Sequence, residues 1–202
     1  LRSAGASFTS MAAHGREYLW QGDSAGWSGQ APICFPICGG LRDGRAMTMG
    51  GREGKRARHG FARKQEWKLE EQGDNMVALS LSSADHAELL EQYPYPFKIV
   101  ARYTIDSEKV AVSYEVTNEG TEDMPFFVGG HPGFKCPLDE GESYSDYELR
   151  FDQREAAELC TAVPSTGLID VEHRRKHPMI GQNLPLTPAV FDVAETLLDV
   201  RE

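Results

Sequence analysis

Apolar and polar residues alternate with a period of two over much of the chain, and the helical period is nearly absent. In Phe97–Ile105 the residues Phe97, Ile99, Ala101, Tyr103 and Ile105 share one face, while Lys98, Arg102 and Thr104 share the other. After Asp106-Ser107-Glu108, the residues Val110, Val112, Tyr114 and Val116 alternate with Ala111, Ser113, Glu115 and Thr117. Two such runs across a polar turn predict an antiparallel hairpin with one wetter face. Met76–Ser82 repeats the pattern through Val77, Leu79 and Leu81, and Tyr147–Phe151 does so through Tyr147, Leu149 and Phe151. Shorter strands are predicted at Tyr18–Trp20, Ala46–Met49, Trp67–Gln72, Met124–Val128 and Ala157–Thr161. One helix is predicted, Ala84–Gln92, with Ser83 as its N-cap and Tyr93-Pro94 as its stop. Many short strands between Gly, Pro and Asp signals predict an all-β sandwich or barrel. No internal repeat or linker divides it, so residues 1–202 are expected to form a single domain.

Composition narrows the partners. At 202 residues the chain is one domain long. Lys and Arg number 21 against 31 Asp and Glu, a net charge of −10. Phosphate neutralisation dominates nucleic-acid affinity, so no DNA or RNA partner is expected. No apolar run approaches the roughly 20 residues that span a bilayer, so no membrane partner is expected either. Four cysteines, Cys34, Cys38, Cys136 and Cys160, are too few for a disulfide framework and predict a reducing, cytoplasmic setting. Cys34 and Cys38 lack a second ligand pair at matching spacing, so they are expected to be buried small hydrophobes rather than metal ligands. His173 and His177 enclose Arg174-Arg175-Lys176 and precede Pro178, a segment expected to be a solvated loop. Asp139–Glu148 is expected to be an exposed acidic loop. No metal or other cofactor is called for.

Two segments carry chemistry. Around Arg58-His59-Gly60-Phe61-Ala62-Arg63, six cations (Arg52, Lys55, Arg56, Arg58, Arg63, Lys64) face the single acid Glu53. This excess in an acidic chain fits either a solvated loop or a site for an anionic or polyhydroxylated ligand. In Phe126-Phe127-Val128-Gly129-Gly130-His131-Pro132, two glycines permit close backbone approach and Pro132 holds His131 extended. A histidine bracketed in this way is poised to exchange a proton near neutrality.

On these residues the chain resembles the aldose 1-epimerase (galactose mutarotase-like) superfamily, in particular its LacX-like branch. The matching stretches are Gly15-Arg16-Glu17-Tyr18-Leu19-Trp20-Gln21-Gly22-Asp23, Ala31-Pro32-Ile33-Cys34-Phe35-Pro36-Ile37-Cys38-Gly39, Arg58-His59-Gly60-Phe61-Ala62-Arg63 and Gly129-Gly130-His131-Pro132-Gly133-Phe134. Leu184-Pro185-Leu186-Thr187 follows more loosely, and all five stand in the family's order. The resemblance implies a large antiparallel β-sandwich holding a small-molecule sugar in an open groove. It also implies interconversion of α and β anomers of an aldose without a cofactor. It implies that His131 is the general acid at the ring oxygen and that His59 orients the sugar beside the same atom. Arg58, Phe61 and Arg63 are then substrate-binding residues. Where the branch carries an arginine after Gly39 this chain has Gly40, with Arg42 and Arg45 the nearest replacements. Asp192 and Glu195 fall in a region that binds sugar hydroxyls. The sugar is expected to be free or phosphorylated. A hexose 6-phosphate suits the arginines, because guanidinium groups match phosphate oxygens in bidentate fashion, and hexose-6-phosphate mutarotases share a His-Gly-x-Ala-Arg element. A non-catalytic carbohydrate-binding module is the alternative.

The resemblance puts the general base, a glutamate, after Glu202. The resemblance also has the chain begin inside the family's first strands, around Gly5-Ala6, so it is expected to be clipped at both ends, with a sandwich incomplete at the C-terminus and an impaired activity. A version extended through that segment should equilibrate anomers faster than residues 1–202, as followed by polarimetry; equal rates would refute the expectation.

Overall fold

The alternating runs form strands in the computed structural model, which describes residues 1–107, 109–152, 158–163, 165–176 and 180–191. In chain order these are β1 (Ala12–Ala13), β2 (Arg16–Glu17), β3 (Ile33–Cys34), β4 (Arg45–Met47), β5 (Glu53–Lys55), β6 (Lys68–Gln72) and β7 (Met76–Ser82). The helix α1 (Leu89–Gln92) leads to β8 (Phe97–Asp106), β9 (Lys109–Asn118) and β10 (Gly129–Gly130). Then come β11 (Glu148–Arg150), β12 (Glu158–Val163), β13 (Leu168–Lys176), β14 (Asn183–Pro185) and the helix α2 (Pro188–Phe191). The chain divides into two compact units, Leu1–Lys135 and Cys136–Glu202.

In the first unit, β6, β7, β8 and β9 pair antiparallel in that order. The period-two pattern fixes their register, since a slip of one residue would turn every apolar side chain to solvent. Thus Leu79 lies opposite Ala101 and Leu81 opposite Ile99, while Tyr103 faces Val112 and Ala101 faces Tyr114 across the next ladder. Phe97, Ile99, Ala101 and Tyr103 are buried as the alternation predicts, whereas Ile105, at the sheet's end, is exposed. The turn expected at Asp106-Ser107-Glu108 joins β8 to β9, with Glu108 outside the described residues.

An aromatic cluster packs against this sheet. Phe35 is fully buried, with its ring 5.1 Å from Phe97, 5.9 Å from Tyr93 and 6.1 Å from Phe61. The N-terminal segment closes over β8: Phe8 meets Tyr103 edge-on at 4.7 Å, and the Tyr103 hydroxyl donates to the Ala6 carbonyl. Burial pushes the Tyr103 phenol up, so this hydroxyl stays a donor. Glu17 clasps the first hairpin, its carboxylate accepting from the Ser10 hydroxyl and from the Met11 and Leu19 N–H groups. The Ser10 hydrogen bond, with the backbone bonds, outweighs partial burial and holds the Glu17 carboxyl below the usual carboxylate range. The clasp therefore contributes fully above the ordinary carboxylate pKa and is lost as the pH falls through the lowered one.

Two expectations are corrected. The predicted helix Ala84–Gln92 is helical only over Leu89–Gln92. Ser83 does not cap it: its hydroxyl accepts from Phe97 N–H, and its own N–H donates to the Phe97 carbonyl, extending the β7–β8 ladder. The Ser82 hydroxyl instead accepts from Ala84 N–H and holds a turn. In the second unit, the segment from His173 to Lys176 is not a loop but the end of β13, paired with β12. Val171 to Arg174 are all exposed there, so no apolar alternation betrays the strand; His177 lies outside the described residues. The same unit pairs β11 with β14, and within it the Asp139–Glu148 stretch folds as an exposed loop with a Ser143 capping box. Among the described residues no helix is long and apolar enough to cross a membrane.

Because Phe35 touches four other aromatic rings, Phe35→Ala should cost about 3–5 kcal/mol. Urea denaturation measures it, and a loss under about 1 kcal/mol would show that the cluster collapses to refill the space.

Candidate active site

Residues 32–39 form a strap to which both histidines are tied. At one end β3 pairs with β10, Ile33 against Gly130 and Cys34 against Gly129, and His131 N–H donates to the Pro32 carbonyl at 3.0 Å. The chain after His131 is held on both sides: Gly133 N–H donates to Gln30 O, while Trp20 N–H donates to Gly133 O and Lys135 N–H to Tyr18 O. At the other end, His59 N–H donates to Gly39 O at 2.7 Å, and Gly39 N–H returns a hydrogen bond to His59 Nδ1 at 3.0 Å. His59 takes the left-handed conformation (φ 64°), which histidine tolerates better than most residues. Gly60 follows at φ 70°, and a Cβ there would drive into the Phe35 carbonyl oxygen.

The two imidazoles thereby meet, their ring centres 5.3 Å apart at an interplanar angle of 67°. Because Nδ1 of His59 accepts from a peptide N–H, it carries no proton, and the neutral ring bears its hydrogen on Nε2. His59 is thus a hydrogen-bond donor through Nε2. Its neutral state also spares the pair two like charges at this separation. His131 is exposed to solvent.

Aromatic side chains line the place where the rings meet. Trp27 packs its indole 5.1 Å from the His131 ring, and its carbonyl accepts from Trp20 Nε1. Gly133 gives the indole room, for a Cβ there would lie 2.8 Å from Trp27 Cζ3. A cavity of about 210 Å³ opens beside His131, walled by Phe8, Ile33, Tyr103, Val112 and Tyr114. A second, of similar size, is lined by Trp27, Gln30, Arg2, Arg63 and Lys64.

The residues expected at the site separate. His59 and His131 meet on the strap, while His131 lines one of the two cavities and Arg63 the other. Arg63 donates through Nη2 to the Arg58 carbonyl, and its buried Nε has no hydrogen-bond partner among the described residues. Arg58 sits next to His59 with an exposed side chain. Phe61 does not face a ligand: it is only 4% exposed and packs on Phe35, Tyr93 and Phe97, so its role is in the core. Much of the basic segment is likewise structural. Arg52 pairs with Glu122 at 2.7 Å, and Arg56 stacks over the Tyr93 ring at 5.0 Å, where burial lowers its affinity for its proton. Arg45, one replacement for the arginine missing at Gly40, pairs with Glu53 at 3.0 Å; Arg42 lies exposed in a turn. Asp192 and Glu195 lie outside the described residues. Trp27 was not anticipated. A lone tryptophan within the polar run Gly22–Gln30 was the available signal.

A model of the aldose 1-epimerase family matches residues 2–197, and the chain belongs to that family. It is 41% identical over 190 residues to the plasmid-encoded protein LacX of Lactococcus lactis subsp. lactis, covering 92% of this chain and 63% of LacX. The chain thus spans less than two thirds of the length of the curated relatives it matches. Among solved structures it is similar to a galactose mutarotase related enzyme from Lactobacillus acidophilus (TM-score 0.87, 26% identity, all of this chain and 66% of that one). It is also similar to a galactose mutarotase-like protein from Lactobacillus casei (TM-score 0.84, 27% identity, 96% of this chain and 66% of that one). Of the all-β sandwich or barrel that the alternation predicts, the sandwich implied by the resemblance is the fold of this group.

The glycine pair of β10 yields a test. A Cβ at Gly130 would stand 2.9 Å from the Tyr114 hydroxyl. Gly130→Ala should therefore destabilise the chain by about 1–3 kcal/mol. Tyr114→Phe, which removes the hydroxyl, should recover part of that loss in urea denaturation; no recovery would mean that the clash lies elsewhere.

Proposed function

We propose that the protein is an aldose 1-epimerase, a mutarotase that interconverts the α and β anomers of a sugar by opening and closing its ring. The observation that carries this reading is the convergence of His59 and His131, 72 residues apart in sequence, with their rings 5.3 Å apart. The reaction needs a proton delivered to the ring oxygen while another leaves the C1 hydroxyl. In the proposed arrangement His131 gives its proton to the ring oxygen. His59 donates a hydrogen bond from Nε2 to the same atom, stabilising the charge that develops there. The C1–C2 bond then rotates in the open-chain aldehyde, and closure on the opposite face reverses the transfers. The base at the C1 hydroxyl is assigned to no residue of this chain. Trp27 supplies an apolar face of the kind on which the C–H face of a pyranose stacks.

A sugar carrying a phosphate is favoured by one further observation, the cavity lined by Arg2, Arg63 and Lys64. It shares Trp27 with the surroundings of His131 and gathers the three cations in its lining. Hexose 6-phosphates are then the preferred substrates. A carbohydrate-binding module without turnover is the competing function.

Polarimetry of freshly dissolved α-D-glucose, α-D-galactose and glucose 6-phosphate decides among them, with the chain studied in its complete reading frame. Accelerated decay of optical rotation is expected, and His131→Ala should slow it by roughly 10²–10⁴-fold, the usual contribution of a general acid. A faster decay with glucose 6-phosphate than with glucose favours the phosphorylated substrate. Sugar binding without acceleration selects the module, and a folded His131→Ala protein of unchanged rate removes this residue from the mechanism.

A further inference from the structure

The strap that ties the two histidines also carries two cysteines whose arrangement the sugar chemistry does not use. Cys34 is 3% exposed on β3, and Cys38, expected from sequence to be buried with it, lies exposed to solvent after Phe35-Pro36-Ile37. Their thiols hydrogen-bond to each other. An independent measure places them on the same side of the strap: a Cβ built on Gly129, the cross-strand partner of Cys34, would lie 3.3 Å from Cys38 Sγ. Tyr114 senses both sulfurs, and Arg63 lies close enough to Cys34 for its charge to favour the thiolate there.

We propose that Cys34 and Cys38 form a peroxide-reactive modification site, with Cys38 the attacking thiol and Cys34 the resolving one. The hydrogen bond from Cys34 stabilises the Cys38 thiolate, bringing that thiol down to about 7 against the opposing effect of burial, while the same bond and burial push Cys34 up. Cys38 is thus substantially ionised near neutrality and reachable from solvent, the two requirements for a reactive cysteine. In the first step the Cys38 thiolate attacks one oxygen of hydrogen peroxide. The O–O bond breaks, hydroxide leaves, and Cys38 becomes a sulfenic acid. In the second step the Cys34 sulfur attacks the Cys38 sulfur as the S–O bond breaks. The proton from Cys34 leaves with the sulfenic oxygen as water. Together the two thiols lose two electrons and two protons, and the peroxide is reduced to two waters. This site stands on the geometry of residues 34–38 and does not depend on the proposed mutarotase activity.

Two measurements on the reduced, unmodified chain test it. Iodoacetamide should alkylate Cys38 with a rate that rises through an inflection near pH 7. At pH 7 it should react about five-fold faster than Cys136, whose thiol burial raises, once the lower intrinsic nucleophilicity of a more acidic thiol is counted. One equivalent of hydrogen peroxide should then remove two hydrogens from the tryptic peptide Glu17–Arg42, which contains both cysteines, and dithiothreitol should restore them. In Cys34→Ser the same treatment should leave a sulfenic acid on Cys38 that dimedone traps. The proposal fails if Cys38 alkylates no faster than Cys136, or if peroxide leaves the peptide's mass unchanged. Because the first two readouts need no substitution, a poorly folding variant does not shield it.

Discussion

The distance between the two imidazoles is set by hydrogen bonds with peptide groups. Pro32 offers its carbonyl to His131 N–H, and Gly39 exchanges two hydrogen bonds with His59, so the length of one strap fixes where both rings stand. Each such bond contributes only about 0.5–1.5 kcal/mol net, and their precision comes from the strap's own anchorage. Phe35, in its middle, is fully buried among Phe61, Tyr93 and Phe97, and its carbonyl accepts from Phe61 and Ala62 N–H, fastening the His59 turn to the strap. The core holds the strap, and the strap positions the chemistry. A backbone N–H donor at Nδ1 also does what a carboxylate beside a histidine would not: it fixes the His59 ring without adding negative charge.

The same economy explains the glycines on either side. Gly60 admits the Phe35 carbonyl, and Gly129 and Gly130 admit the Cys38 sulfur and the Tyr114 hydroxyl. A Cβ would clash outright at Gly60 and Gly130, and at Gly129 it would press tightly on the sulfur. The cations, by contrast, have divided roles. Arg52 and Arg56 serve ion pairing and stacking, and Arg63 with Lys64 keeps the basic character of the neighbouring cavity.

How much of this was legible in the sequence follows from where burial leaves a mark. Phe97–Ile105 and Val110–Val116 were readable because one face of the sheet is buried and the other wet, which writes a period of two into the residues. The end of β13 was not, because His173 and Arg174 are exposed on a strand with no buried face there, which apolar patterning cannot report. The helix at Ala84–Gln92 shrank because Ser82 and Ser83 spend their hydroxyls on the β7–β8 connection, a tertiary use of residues that locally read as caps. The histidine motifs were legible as motifs, but their meeting was implied only by the family resemblance, for nothing in the local pattern says that residue 59 and residue 131 share one strap. Phe61 sits inside the same motif as His59 yet points into the core, so proximity in sequence to a functional residue did not predict a shared role.

The candidate site draws on pieces scattered along the chain: Phe8, the stretch from Trp27 to Gly39, His59, Tyr103, Tyr114 and His131. No contiguous fragment contains it. Contacts of such long sequence separation form only after the entropy of closing large loops has been met, and sheets built from them fold slowly. During synthesis the two imidazoles therefore cannot meet until His131 has left the ribosome, and before then the strap between Pro32 and Gly39 has only half of its load. The pairing of the two rings is completed only late in synthesis, and a chain interrupted before His131 lacks it.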